Sequence, residues 1–284
     1  DLDLLHAAIQ TRRYGSSQLC MYRDLLVPEQ ETQFAAMTFL LDDGSMFLAF
    51  RGTDNTLVGW KEDFNMSFQQ TVPAQRLAQQ YTREVAAQYL MPLRLGGHSK
   101  GGNLAVYAAA KVNPKIQKRI LEVYNLDGPG FTEAMMSHSG YLDILPKIKT
   151  YIPESSIIGM LLEHEEPYRV IKSSTVGLLQ HDLYSWEVSG KHFIPVQEIT
   201  DSSQFIDATL KTWFAEMTNQ VPMEPTSNTE FISQLASFSS LQNQTNALAY
   251  QQSAYATSLT GKNVTIASST GTGLAVESGV VTSV

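Results

Sequence analysis

The sequence predicts an α/β domain with a mostly parallel sheet, and three observations predict it. Short apolar runs alternate with longer stretches whose apolar residues recur at helical spacing. Turn-forming residues stand wherever the period changes. Finally, 43% of the 284 residues are hydrophobic, enough for a sizeable core.

Taken in order, Phe34–Leu41 and Met46–Phe50 are apolar runs separated by Asp42-Asp43-Gly44-Ser45, which predicts a hairpin. Gln75–Leu90 places Leu77, Tyr81, Val85, Ala86 and Tyr89 on one helical face, suited to packing on a sheet. A short strand, Leu93–Leu95, runs at once into Gly96-Gly97-His98-Ser99-Lys100-Gly101-Gly102. Asn103–Val112 is small and apolar and predicts a tightly packed helix that stops before Pro114. Ile120–Leu126 reads as the next strand and ends in Asp127-Gly128-Pro129-Gly130. Lys149–Ile152 and Tyr168–Lys172 complete the strand candidates.

Charge and cysteine content exclude several classes. Twenty basic against 28 acidic residues leave a net charge of −8. A nucleic-acid groove needs clustered basic charge to displace counterions, so no nucleic-acid partner is expected. One cysteine, Cys20, excludes an internal disulfide framework and a multi-thiolate zinc site within one chain. No apolar run approaches the length of a spanning helix, so no transmembrane segment is expected and the location reads as cytoplasmic. Because the sequence opens at Asp1 rather than Met, the lack of a signal peptide decides little.

Gly97-His98-Ser99-Lys100-Gly101 matches G-x-S-x-G in the context that pattern requires: strand, sharp turn, small-residue helix. A serine on such a turn exposes its hydroxyl above the sheet, and the helix start supplies N–H groups and a favourable dipole for an oxyanion. The plain alternative is a Gly-rich turn whose serine caps the helix. Upstream, Arg51-Gly52-Thr53 follows the strand ending at Phe50. Thr53 is thereby a candidate for one side of an oxyanion hole and the Lys100 N–H for the other; an ordinary strand-ending turn is the alternative.

Phe50-Arg51-Gly52-Thr53 followed by Gly97-His98-Ser99-Lys100-Gly101-Gly102 resembles class 3 lipases. The run Val58-Gly59-Trp60-Lys61-Glu62-Asp63-Phe64-Asn65 and the stretch Gly159–His164 are more similar to a bacterial branch of that superfamily, largely of unknown function. The resemblance covers about residues 1–215 and implies an α/β-hydrolase fold with a Ser–acid–His triad. In that chain order the histidine follows the last sheet strand, which selects His181 over His164 and His192. For the acid, Asp127 ends a strand on a Gly-Pro-Gly turn, a placement that resembles pancreatic-type lipases. Class 3 lipases carry the acid after the next strand, where this chain has only Glu154. Asp127 is preferred because a short side chain on a rigid turn orients an imidazole better, with Glu154 the alternative. The Glu163–Glu166 run reads as solvated, with no metal-ligand spacing. The Lys100 side chain reads as a holder for an anionic substrate group or as an exposed lysine without function, and Trp60, Phe64, Met66 and Phe68 as lid or core.

Composition changes near residue 220. Over 220–284 only Glu224, Glu230, Lys262 and Glu277 are charged, against 20 Ser or Thr. Phe231, Leu235, Phe238 and Leu241 predict one amphipathic helix; Val264–Ile266 and Val276–Val284 are weak strand signals around Gly271–Gly273. The stretch Gln220–Leu241, with Leu259-Thr260-Gly261-Lys262 and Ser278-Gly279-Val280-Val281, resembles the flagellar hook-capping scaffold protein from about residue 210. The expected organisation is therefore a hydrolase domain, 1–215, and a largely irregular or helical tail, 216–284, in a chimeric chain or a natural hook-associated one. The expected activity is hydrolysis of a small-molecule or lipid carboxylic ester by Ser99, His181 and Asp127, with no cofactor. The alternative is a non-catalytic scaffold that contacts the flagellar hook through the tail.

Overall fold

In the computed structural model, the described residues are 2–12, 14–53, 66, 71–156, 158–175 and 177–196, then 247, 251, 254–255, 257–270 and 273–282. The chain divides into two compact units, Asp1–Ser174 with Gln180–Pro225, and Thr175–Leu179 with Thr226–Val284.

The first unit opens with helix α1 (Leu2–Ile9), which buries none of its residues, and strand β1 (Gln18–Val27). Strands β2 (Thr32–Leu40) and β3 (Met46–Phe50) form the expected hairpin around a left-handed Gly44. Helix α2 (Pro73–Gln88) leads to β4 (Leu93–His98), helix α3 (Lys100–Lys111) and β5 (Ile120–Leu126). Helix α4 (Ser139–Ile144), β6 (Ile148–Pro153) and β7 (Tyr168–Ile171) follow. The seven strands lie in one sheet in chain order. β1, β2 and β3 are antiparallel, and β3 through β7 are parallel. A small ribbon of β8 (Val188–Ser189) and β9 (His192–Phe193) lies beyond the sheet strands.

The core explains why α3 is made of small residues. Every residue from Lys100 to Ala110 is buried, and Leu104, Ala105 and Ala108 join Phe34, Leu48, Phe50, Leu95 and Val123 of the sheet in one cluster. Only short side chains allow a helix to be covered all round at that distance. Tyr81 of α2 closes one end, its ring edge-on to Phe34 and Phe50 and its hydroxyl 2.8 Å from Thr38.

Two surface expectations are corrected. Lys100 is only 1% exposed; its ammonium donates to the Gln33 carbonyl at 3.1 Å and to Gln33 Oε1 at 2.6 Å. The acidic run is solvated only in part: Glu163 and Glu165 are exposed, but Glu166 is buried and accepts from Thr150 (2.6 Å), Tyr141 (2.7 Å) and His164 Nδ1 (3.1 Å). Burial alone would raise its pKa, but the bond and charge of His164 and the two hydroxyls hold it at about 2. The Tyr141 phenol is raised by burial and by that carboxylate.

In the second unit, β10 (Asn263–Thr270) pairs antiparallel with β11 (Gly273–Val280), from Asn263 opposite Val280 to Thr270 opposite Gly273. This part of the expected irregular tail is therefore a regular ladder. Its Ser- and Thr-rich composition suits a cross-strand bond such as Thr265 to Ser278, 2.8 Å. The helix expected at Phe231–Leu241 lies outside the described residues, as do Trp60, Phe64 and Phe68; Met66 is buried. No helix among the described residues is long and apolar enough to cross a membrane.

Candidate active site

Ser99 stands between β4 and α3 with φ 57 and ψ −132, a backbone conformation that non-glycine residues seldom adopt. Its main chain is tied on both sides: Ser99 N–H donates to the Leu126 carbonyl at 2.9 Å, and its own carbonyl accepts from Gly102 N–H at 2.9 Å. The side chain makes no capping bond to α3, which removes the plain reading of Ser99 as a helix cap. The flanking glycines make the turn sterically feasible. A methyl group on Gly97 would sit 2.5 Å from the Phe50 carbonyl oxygen, and one on Gly101 would press into the same peptide.

The Arg51-Gly52-Thr53 segment passes beside this turn. A methyl on Gly52 would lie 2.8 Å from the His98 carbonyl oxygen and 3.3 Å from Ser99 Cβ. Thr53, next along the chain, is half-buried. Lys100 begins α3, so its N–H belongs to the positive end of that helix. Its ammonium is directed away to Gln33, so only its main chain is suited to the oxyanion role.

Asp127 follows β5, fully buried and with φ 51. Its N–H donates to the Tyr151 carbonyl at 2.8 Å. Its Oδ1 accepts from the Ser156 hydroxyl at 2.5 Å and from Gly159 N–H at 3.1 Å, and its Oδ2 accepts from His181 Nδ1 at 2.6 Å. The carboxyl group is thus ringed by donors. His181 ends a short 3-10 turn, Gly177–His181, and leaves about a quarter of its side chain exposed. Glu154, the alternative acid, lies after β6 with its N–H bonded to the Ile171 carbonyl. The His181 ring nitrogen pairs with Asp127 instead.

The other histidines that follow Ser99 stand elsewhere. His138 accepts from Gly140 N–H at the start of α4, His164 is on Glu166, and His192 is exposed in β9.

The family model for Mbeg1-like proteins matches residues 8–228. The chain belongs to the Mbeg1-like family. No curated protein matches it. Among solved structures, the native Rhizomucor miehei lipase propeptide complex is similar at 14% identity and TM-score 0.40, over 55% of this chain and 57% of that one. M37 lipase is similar at 13% identity and TM-score 0.43, over 57% and 62%. This Mbeg1-like chain therefore spans less than two thirds of either lipase. The expected hook-capping resemblance of residues 210–284 is not supported by these comparisons, and the family match ends at 228.

Three residues at this site escape a reading of the sequence. Ser156 and Gly159 hold the outer oxygen of Asp127, although the Gly159–His164 stretch is distinctive only as a resemblance. A Ser-x-x-Gly spacing just past a strand is the signal that marks them. His98 is the third. It occupies the variable position of G-x-S-x-G, so the pattern itself draws no attention to it.

Proposed function

We propose that this chain is a serine hydrolase of carboxylic esters with an α/β-hydrolase fold. The observation that carries the reading is the Asp127–His181 pair at 2.6 Å, set beyond the ends of parallel strands that also deliver Ser99 on a strained turn. In this reading Ser99 Oγ attacks the ester carbonyl carbon while its proton passes to His181 Nε2. Asp127 holds Nδ1–H, which leaves Nε2 as the basic nitrogen and stabilises the imidazolium that forms. Thr53 and the Lys100 N–H stabilise the oxyanion. Collapse of the tetrahedral intermediate expels the alcohol, protonated from Nε2, and leaves an acyl-serine. Water, deprotonated by the same nitrogen, then releases the acid and restores Ser99. Every proton is carried by side chains already present, and no cofactor enters. Support for the class of substrate comes from this chemistry and from the resemblance to class 3 lipases; a small-molecule or lipid ester fits both.

The test is a fluorophosphonate probe with a series of p-nitrophenyl esters of graded chain length. The wild-type serine should be labelled and at least one ester hydrolysed. Ser99→Ala should abolish labelling and lower turnover by on the order of 10³-fold or more. Hydrolysis by Ser99→Ala at the wild-type rate would refute the assignment.

A further inference from the structure

His181 sits outside the sheet, at the end of a single 3-10 turn, so no strand or long helix fixes the direction of its ring. Two contacts from the end of β4 take that place. His98 Nε2 lies 2.7 Å from the His181 carbonyl oxygen, and because a carbonyl only accepts, this nitrogen carries the hydrogen. The two imidazole rings also lie against one another, with centroids 4.4 Å apart and planes 38° apart. Together with the Asp127 bond to Nδ1, His181 is therefore held at its main-chain oxygen, at one ring face and at one ring nitrogen.

We infer that His98 is a positioning residue: it anchors the main chain of His181 and backs its ring, so that the imidazole bound to Asp127 keeps one orientation. The inference rests on His181 acting as the general base. His98 precedes Ser99 in the chain, so one turn would fix both the nucleophile and the base that serves it. Burial, and then the charge on His181, lower the His98 pKa to about 4. The ring is thereby neutral at physiological pH, and the carbonyl contact selects the tautomer with its hydrogen on Nε2. The charged groups acting on it are His181, Asp127 and Asp182. A neutral ring face beside His181 tolerates the imidazolium that forms during turnover, where a second cation at 4.4 Å would oppose it.

The test compares His98→Phe, which keeps a ring face but loses the donor, His98→Gln, which keeps a donor but loses the ring, and His98→Ala, which loses both. Readouts are kcat and KM on the best p-nitrophenyl ester, the fluorophosphonate labelling rate, and the His181 titration followed by NMR of isotopically labelled histidine. His98→Ala should lower kcat by on the order of 10- to 100-fold with KM nearly unchanged, because a misdirected base affects the chemical step. Phe and Gln should each recover part of that loss. The His181 midpoint, and with it the acid limb of kcat/KM, should move in the Ala variant. Should His98→Ala fail to fold, the Phe and Gln variants carry the comparison. A labelled wild type together with unmoved kcat and unmoved His181 titration in the folded variants would overturn the positioning role alone. A wild type that neither labels nor hydrolyses any ester would remove the hydrolase reading and this one with it.

Discussion

Replacing Asp127 with Asn separates its proposed chemical role from its structural one. Oδ1 accepts from Ser156 and Gly159 N–H, so in the variant the amide oxygen must stay on that side. The amide NH₂ then faces His181 Nδ1, donor against donor. The imidazole relieves this by moving its hydrogen to Nε2, which leaves no lone pair to take the Ser99 proton. The expected loss in kcat is about 10⁴-fold, or about 5.5 kcal/mol of transition-state stabilisation, by analogy with other triads. The fold should bear the change, because Asn tolerates the left-handed backbone at φ 51 and keeps both Oδ1 bonds. Asp127→Ala is a poorer probe: it takes the acceptor from the buried Ser156 hydroxyl, at about 1–3 kcal/mol, while the Gly159 N–H keeps Ser156 Oγ at 3.0 Å. The assay pairs ester turnover with a thermal melt by circular dichroism. An Asp127→Asn protein that melts like wild type and retains turnover within about tenfold would refute the reasoning. So would a Glu154→Gln variant that proved the crippled one.

Gly97→Ala should destabilise the protein by about 2–3 kcal/mol, because the new methyl meets the Phe50 carbonyl and neither backbone segment has room to yield; an unchanged melting temperature would contradict the packing described at the turn. Glu166 has its carboxyl lowered from 4.5 to about 2, so its contribution to stability is complete above about pH 4.5 and disappears as pH falls through 2. Glu166→Gln should accordingly weaken the fold at pH 7 and remove about 3 kcal/mol of acid sensitivity between those limits, read by urea unfolding at several pH values; parallel wild-type and variant curves would count against it.

Much of the parallel sheet was legible because its strands are apolar runs bounded by turns. Ile120–Leu126 coincides with the observed strand, and Met46–Phe50 does too. Errors concentrate where glycine serves packing instead of turning. Gly96 and Gly97 read as loop, yet they extend β4, since side chains there would strike Phe47, Tyr124 and the Phe50 carbonyl. Gly101 and Gly102 likewise belong to the first turn of α3, three residues before the expected start. β1 passes unnoticed because its residues are mostly exposed or half-buried and show no clean alternation. Buried charge is hidden for another reason. Lys100 is made tolerable inside by a partner 67 residues away, and Glu166, besides the neighbouring His164, by partners 25 and 16 residues away that no local window contains. The proposed triad residues were readable from motif and chain order, whereas Ser156, Gly159 and His98 matter only through contacts across the fold.

The sheet order also has a consequence for how such a chain is made. Strands β1 to β7 lie side by side in the order in which the ribosome produces them, so each new strand finds its neighbour already present. Ser99 is tied down only when Leu126 arrives, and Asp127 comes immediately behind it. The donors that hold that carboxylate, Ser156 and Gly159, emerge after β6, and His181 after β7. A chain halted short of residue 181 thus carries the serine and the acid but no imidazole between them. Under the proposed chemistry, the nascent protein stays inert until its sheet is complete.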